Sequence, residues 1–202
     1  MRIISGKYRG KKIFIPKDSF TRPLRDLVKE SIFNILEHSN LFIFKINKAK
    51  ILDLFSGTGS FGLECISRGA SHVTFFENYI SAINILKKNI NSLNCHHISK
   101  IINRGISTKE LKKLDKFDLV FLDPPFKYKK INKLIIDIKK LELLKKNGLI
   151  ILHRHKGDKE ILCEEFKIIK QKSYGISSIF FGNYFFLRKI LLVSFLINST
   201  DG

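Results

Sequence analysis

At 202 residues, 44% of them hydrophobic, the chain holds one domain with a full core and is too short for two large ones. A formal net charge of +19 points to a polyanionic partner, although the excess of lysine over arginine and the many Ile and Asn residues are also what an A+T-rich coding bias produces. Cys65, Cys95 and Cys163 are odd in number and scattered, which excludes a disulfide framework or a paired-cysteine zinc site, and the opening Met-Arg-Ile-Ile-Ser-Gly carries no apolar signal core, so a cytoplasmic protein is expected.

Residues 2–15 carry β-branched residues around Gly6 and Gly10 and predict a short hairpin studded with Arg2, Lys7, Arg9, Lys11 and Lys12. It is expected to form a basic appendage over residues 1–20. A turn at Thr21-Arg22-Pro23 opens the main domain, residues 21–189, and Val28, Ile32, Ile35 and Leu36 give residues 24–37 the spacing of an amphipathic helix. Strand-like runs follow at 50–55, 72–77, 97–102, 117–122 and 148–153, separated by helix-like segments at 60–68, 79–91, 107–114 and 131–145. Short, almost wholly apolar strands alternating with helices predict a parallel sheet covered on both faces, a doubly wound α/β fold. Segments 166–173 and 177–187 are joined by only Tyr174-Gly175-Ile176, too short for a helical crossover, and predict an antiparallel hairpin at one sheet edge. The apolar run from Ile179 to Ile197 is broken by Asn183, Arg188 and Lys189, where charge is costly in a bilayer, so no membrane partner is expected; the tail 190–202 has no assigned role.

The first strand runs into Asp53-Leu54-Phe55-Ser56-Gly57-Thr58-Gly59-Ser60-Phe61-Gly62, a glycine-rich turn opening a helix. Such turns let the backbone approach a ligand at the carboxyl edge of the sheet. Gly57, Gly59 and Gly62 satisfy the dinucleotide pattern, and Glu77 lies where an acid would hold a ribose diol, so a nicotinamide or flavin enzyme competes for this reading. Asp53 decides against it, because a carboxylate at the strand tip repels a pyrophosphate and attracts the ammonium and sulfonium of S-adenosylmethionine.

The fourth strand ends in Asp123-Pro124-Pro125-Phe126. Two consecutive prolines remove two backbone donors, leaving carbonyls that can only accept. An exocyclic amino group offers two donors, one for Asp123 and one for the Pro124 carbonyl, and its lone pair is then presented to a sulfonium methyl by positioning alone. Phe126 would stack on a base taken out of its helix. By itself the loop leaves guanine, adenine, cytosine or an amide side chain open as the acceptor.

RIISGKYRGKKI at the start, TRP followed by VKESIFNIL, LDLFSGTGSFGLECISRGA and FDLVFLDPPF together resemble the bacterial 16S ribosomal RNA guanine-966 N2-methyltransferase family over residues 2 to about 187. The resemblance implies a Rossmann-like class I methyltransferase sheet of seven strands with an antiparallel last strand, S-adenosylmethionine as donor, and a guanine N2 acceptor in small-subunit ribosomal RNA or the assembling 30S particle. It places Asp53, Gly57 and Gly59 on the methionine side of the cofactor and Glu77 on its ribose, with Phe55 and Asn78 completing the pocket, and Asp123, Pro124, Pro125 and Phe126 around the target amine. Arg2, Lys7, Tyr8, Arg9, Lys11, Lys12, Arg22 and Arg25 are the expected RNA contacts. The chain departs from the family at Leu27 and Lys29, where arginines are usual, and at Asn103-Arg104-Gly105, which offers no acid to the adenine.

His153 and His155 alternate on the fifth strand and face one way, but without a third ligand nearby they predict a solvated or hydrogen-bonded pair and no metal. A monomer is expected. A DNA adenine-N6 or cytosine-N4 methyltransferase would share the Asp-Pro-Pro-Phe chemistry, and a non-catalytic RNA-binding or ribosome-assembly protein would share the charge.

Overall fold

The carboxyl ends of five neighbouring parallel strands make the edge on which the site is built. The computed structural model describes residues 1–16, 24–125, 127–158 and 161–184. In chain order the elements are α1 (Asp26–His38), β1 (Lys50–Leu54), α2 (Ser60–Ser67), β2 (His72–Glu77), α3 (Ile80–Ser92), β3 (Ser99–Asn103), α4 (Thr108–Leu111), β4 (Phe117–Leu122), α5 (Ile131–Lys140), β5 (Leu144–His155), β6 (Lys167–Tyr174) and β7 (Ser177–Asn183). The sheet order is β3-β2-β1-β4-β5-β7-β6. β7 runs antiparallel to both its neighbours, while the contacts among β1 to β5 are all parallel. The order reverses between β1 and β4, and the crevice at such a reversal is where open α/β sheets take their ligands.

β1 and β4 are buried along nearly their whole length, as strands covered on both faces must be. One face carries α1, α2 and α3, with Phe33, Phe61, Phe75 and Phe121 in the core beneath them. The other carries α4 and α5. Helix α5 buries Ile131, Leu134, Ile135 and Ile138, a single stripe at helical spacing. Each such side chain contributes about 1.5–3 kcal/mol when fully buried. Outermost β6 is mostly exposed and carries Lys167, Lys170 and Lys172, a composition that blunts an open sheet edge.

Several boundaries differ from the sequence expectation, each for a local reason. The helix expected over 131–145 stops at Lys140 because Glu142 adopts φ 50°, and β5 starts at Leu144 rather than 148. The third strand begins two residues late, after a 3₁₀ turn at His96–Ile98. The helix expected over 107–114 is the single turn α4, whose Ser107 side chain caps the Glu110 N–H. β7 ends at Asn183, and residues 185–187 of its expected span lie outside the described residues, as does the whole tail 190–202.

The basic amino-terminal segment is not a regular hairpin. Only Arg2 and Lys12 pair as an antiparallel bridge, because residues 5–10 are consumed by turns through Gly6 and Gly10, both at φ 81°. Nor does it stand away from the fold, since Ile3 and Ile13 are buried in the core. The completely buried Glu64 of α2 accepts the Ile4 and Ser5 N–H groups at 2.8 and 2.9 Å and the Arg68 Nε–H at 2.9 Å. Lys29, equally buried, lies 3.6 Å from the same carboxylate and donates from Nζ to the Arg2 carbonyl at 2.7 Å and to Ser60 Oγ at 3.3 Å. Burial lowers the Lys29 ammonium from its ordinary range, and Glu64 and Asp26 oppose that shift. A third tie is Asn89 of α3. Its carboxamide accepts from the Phe14 N–H at 2.8 Å and donates to the carbonyls of Phe14 and of Thr58, at 3.1 and 3.0 Å.

Candidate active site

The turn between β1 and α2 is held by packing as well as by backbone freedom. Gly59 adopts φ 82°, and a Cβ there would also meet the Leu86 side chain at 2.4 Å. A Cβ on Gly62 would meet the Phe75 ring at 2.3 Å, so its glycine brings α2 down onto β2. Phe55 holds φ 63°, a strained conformation for a bulky residue and one that clusters at ligand sites. Its ring meets Tyr128 edge to face at 4.9 Å, joining the glycine turn to the loop that follows β4.

Three carboxylates end three adjacent strands: Glu77 on β2, Asp53 on β1 and Asp123 just beyond β4. Asp53 is 1% exposed. Its Oδ2 accepts from the Gly62 N–H at 3.0 Å, whereas its buried Oδ1 has no partner among the described residues. Burial pushes the Asp53 carboxyl well above the usual carboxylate range, and the negative charges of Asp123 and Glu77 push it the same way. A cation delivered to Oδ1 would relieve both effects. Glu77 accepts the Gly57 N–H at 2.7 Å through Oε2 and the Asn78 and Tyr79 N–H groups at 2.8 and 2.9 Å through Oε1. It therefore clamps the glycine turn and the turn that leads into α3, and Oε2, with one N–H partner against two on Oε1, retains a lone pair for a hydroxyl donor. Asn78 itself is exposed at the same edge.

Asp123 is half-buried, with its Oδ1 2.8 Å from His153 Nδ1 of β5. The Pro125 carbonyl accepts the Tyr128 N–H at 2.8 Å and turns the loop toward α5; Pro124 is buried, and Phe126 lies outside the described residues. Arg154, on the opposite face of β5 from His153, donates to the Tyr128 carbonyl at 3.4 Å and pairs with Asp158, which ties the loop to the sheet. Sequence reasoning missed His153, Tyr128 and Arg154 as neighbours of this loop, since only the β4–β5 register, Leu122 opposite Leu152, brings them to it. His155 accepts the Gly157 N–H at 3.0 Å, so the two histidines have separate partners. Among the described residues no group of three or more potential metal ligands is clustered.

The expected RNA contacts fall into two groups. The Arg2 carbonyl shares Lys29 with Ser60, the first residue of α2, so Arg2 and its bridge partner Lys12 lie at the glycine-turn end of that helix. The Lys7 and Tyr8 N–H groups donate instead to Ser67, its last residue, at 2.8 and 2.9 Å. Seven helical rises separate those ends by about 10 Å. Tyr8 is already engaged with the Lys7 ammonium, 5.3 Å from its ring centre, and Arg9 and Lys11 are exposed on the turn beyond. Arg25 precedes α1 and is exposed, and Arg22 lies outside the described residues. Lys127, Lys129 and Lys130 are exposed immediately after the Pro-Pro turn, and their dense run in the sequence was the available signal. A broad open groove between α1 and β6, lined by Leu27, Ile35, His38, Lys170 and Tyr174, contains none of the three carboxylates.

A seven-stranded sheet of this order, with a buried acid left short of partners at the end of β1 and a Pro-Pro loop one strand away, is the architecture of a class I methyltransferase. Comparison with known proteins agrees and narrows the class. The chain belongs to the family described as Conserved hypothetical protein 95, whose profile matches residues 1–183. It is 36% identical over 181 residues to the Haemophilus influenzae protein named Ribosomal RNA small subunit methyltransferase D, covering 88% of this chain and 91% of that one. A solved Escherichia coli structure assigned as a methyltransferase matches with a TM-score of 0.76 at 27% identity, over 91% of this chain and 97% of its own. A more distant solved fold, SMU.776, matches with a TM-score of 0.61 at 15% identity over 77% of this chain and 48% of its own; that protein was solved in complex with SAH.

Proposed function

We propose that this protein transfers a methyl group from S-adenosylmethionine to the exocyclic N2 amine of a guanine in small-subunit ribosomal RNA. The observation that carries the donor is the unpartnered, buried Asp53 Oδ1, whose surroundings favour a cation. Asp53 and the turn through Gly57 and Gly59 hold the methionine end, and Glu77 takes a ribose hydroxyl on the remaining lone pair of Oε2, flanked by Phe55 and Asn78. When bound, the donor supplies a methyl group made electrophilic by its sulfonium. The acceptor is read from the loop. Asp123 Oδ1 is occupied by His153, so Oδ2 and the Pro124 carbonyl accept the two amine protons. The nitrogen lone pair is thereby aimed into the crevice, and the proton released after transfer is held at Asp123 Oδ2. Phe126 follows these acceptors and stacks on the base. Support for ribosomal RNA comes from the family relatives and from the exposed cations Arg2, Lys12, Lys127, Lys129 and Lys130 on the segments around the crevice.

The test is radiolabelled methyl transfer to unmethylated small-subunit RNA, to assembled subunits and to DNA, followed by nucleoside analysis. N2-methylguanosine in RNA is expected; N6-methyladenine, or label in DNA alone, would overturn the assignment. Asp123→Ala should lower the single-turnover rate by about 1,000-fold or more while leaving S-adenosylmethionine affinity within about twofold. Full activity in that variant removes Asp123 from the mechanism.

A further inference from the structure

His153 has no structural need to be a histidine. It stands on β5 opposite Ile179 of β7, and Ile151, on the same face one pair earlier, is an ordinary core side chain. A further aliphatic residue at this position would continue the core. Its Nε2 is buried and has no partner among the described residues, while its Nδ1 lies 2.8 Å from Asp123 Oδ1. An imidazole buried for packing alone leaves no reason for that single directed contact.

The contact also fixes the chemistry of the pair. A carboxylate oxygen accepts and does not donate, so a 2.8 Å approach to Nδ1 is a hydrogen bond when the proton sits on Nδ1. Asp123 is in the field of Asp53 as well, which repels it. Without a donor its carboxylate would turn about its own bond and swing from that charge. With one, a single oxygen is pinned and the other is left in one direction.

We propose that His153 is a positioning residue for the methyl-acceptor site: its Nδ1–H pins Asp123 Oδ1 so that Oδ2 alone faces the target amine. This rests on the assignment of Asp123 as the amine acceptor. His153 contacts neither donor nor acceptor and holds no transferred proton, because its Nε2 is shut off from solvent. The result of losing it is a slower chemical step with unchanged cofactor binding. Accuracy of placement is worth this much, since a displacement of about 1 Å at a reacting group costs on the order of 100-fold.

Three variants separate the possibilities, each read by single-turnover rate, S-adenosylmethionine Kd and thermal unfolding. His153→Leu, which keeps bulk and removes the donor, should lower the rate by about 30-fold with Kd within about twofold. His153→Asn places an amide N–H near the position of Nδ1 and should restore the rate to within about threefold of the parent. A Leu variant as fast as the parent, or an Asn variant no faster than a folded Leu variant, overturns the proposal. Imidazole ¹⁵N spectra of the unaltered protein decide independently of whether any variant folds: the Nδ1–H form is expected at neutral pH, and the Nε2–H form overturns the pinning. Asp123→Ala is the control for the underlying assignment. If it turns over normally, Asp123 is not the acceptor; if it is inactive while His153→Leu is fully active, only the role of His153 fails.

Discussion

Asp53 and Glu64 lie eleven residues apart, one near the end of β1 and one within α2, and both are shut off from water, at 1% and 0% exposure. Their surroundings are opposite. Glu64 accepts two backbone N–H groups and the Arg68 guanidinium, with the Lys29 ammonium 3.6 Å away. Asp53 accepts one N–H, leaves an oxygen unpartnered, and faces the negative charges of Asp123 and Glu77. Where a buried carboxylate organises the fold, the chain itself supplies the positive groups. At Asp53 the chain withholds them and surrounds the carboxylate with more negative charge, as the proposed cationic donor requires.

The contrast is sharpest in what removal does. Glu64→Ala leaves Lys29 and Arg68 without their shared carboxylate and strips the Ile4 and Ser5 N–H groups of their acceptor. A loss of about 3–5 kcal/mol in unfolding free energy is expected from urea titration. A loss under about 1 kcal/mol would mean that the amino-terminal segment is held by Ile3 and Ile13 alone.

Asp53→Asn should act in the reverse sense on stability and cost function instead. A carboxyl raised in the folded state ionises first in the unfolded chain, so the folded protein loses stability as pH climbs above the ordinary carboxylate range. The advantage of the Asn variant should therefore be absent at strongly acidic pH and grow toward neutrality, while its S-adenosylmethionine affinity falls by about tenfold or more in calorimetry. A variant less stable than its parent at neutral pH would break the comparison.

The smallest effect concerns the basic surface. Arg2 and Lys12 lie at the glycine-turn end of α2 and Lys7 and Arg9 beyond its far end. Replacing the first pair by alanine should weaken RNA binding by a few-fold more than replacing the second, with the shallower salt dependence that lost phosphate contacts bring. Equal effects would mean that the RNA spans both ends.

Much of this was legible beforehand because it rests on local rules. Almost wholly apolar strands such as FDLVFL specify a sheet covered on both faces, and a strand-tip acid before spaced glycines marks the turn that opens α2. What escaped depends on register and on distant pairing. His153 could be placed on a strand face but not beside Asp123 until β4 and β5 were aligned. Glu64 has a visible neighbour in Arg68, four residues on, but its partners Ile4 and Ser5 lie some 60 residues earlier in the chain, beyond any local pattern. The two glycines at φ 81° read as hairpin signals but produce turns that dock on α2.

Asn89 has a consequence in time rather than in space. Its carboxamide ties Phe14, 75 residues earlier, to the Thr58 carbonyl of the glycine turn. Contacts of such sequence separation form slowly, because a long loop must close before they repay its entropy. On a nascent chain the opening segment must wait until α3 has emerged, and in refolding the sheet can assemble before that clasp shuts.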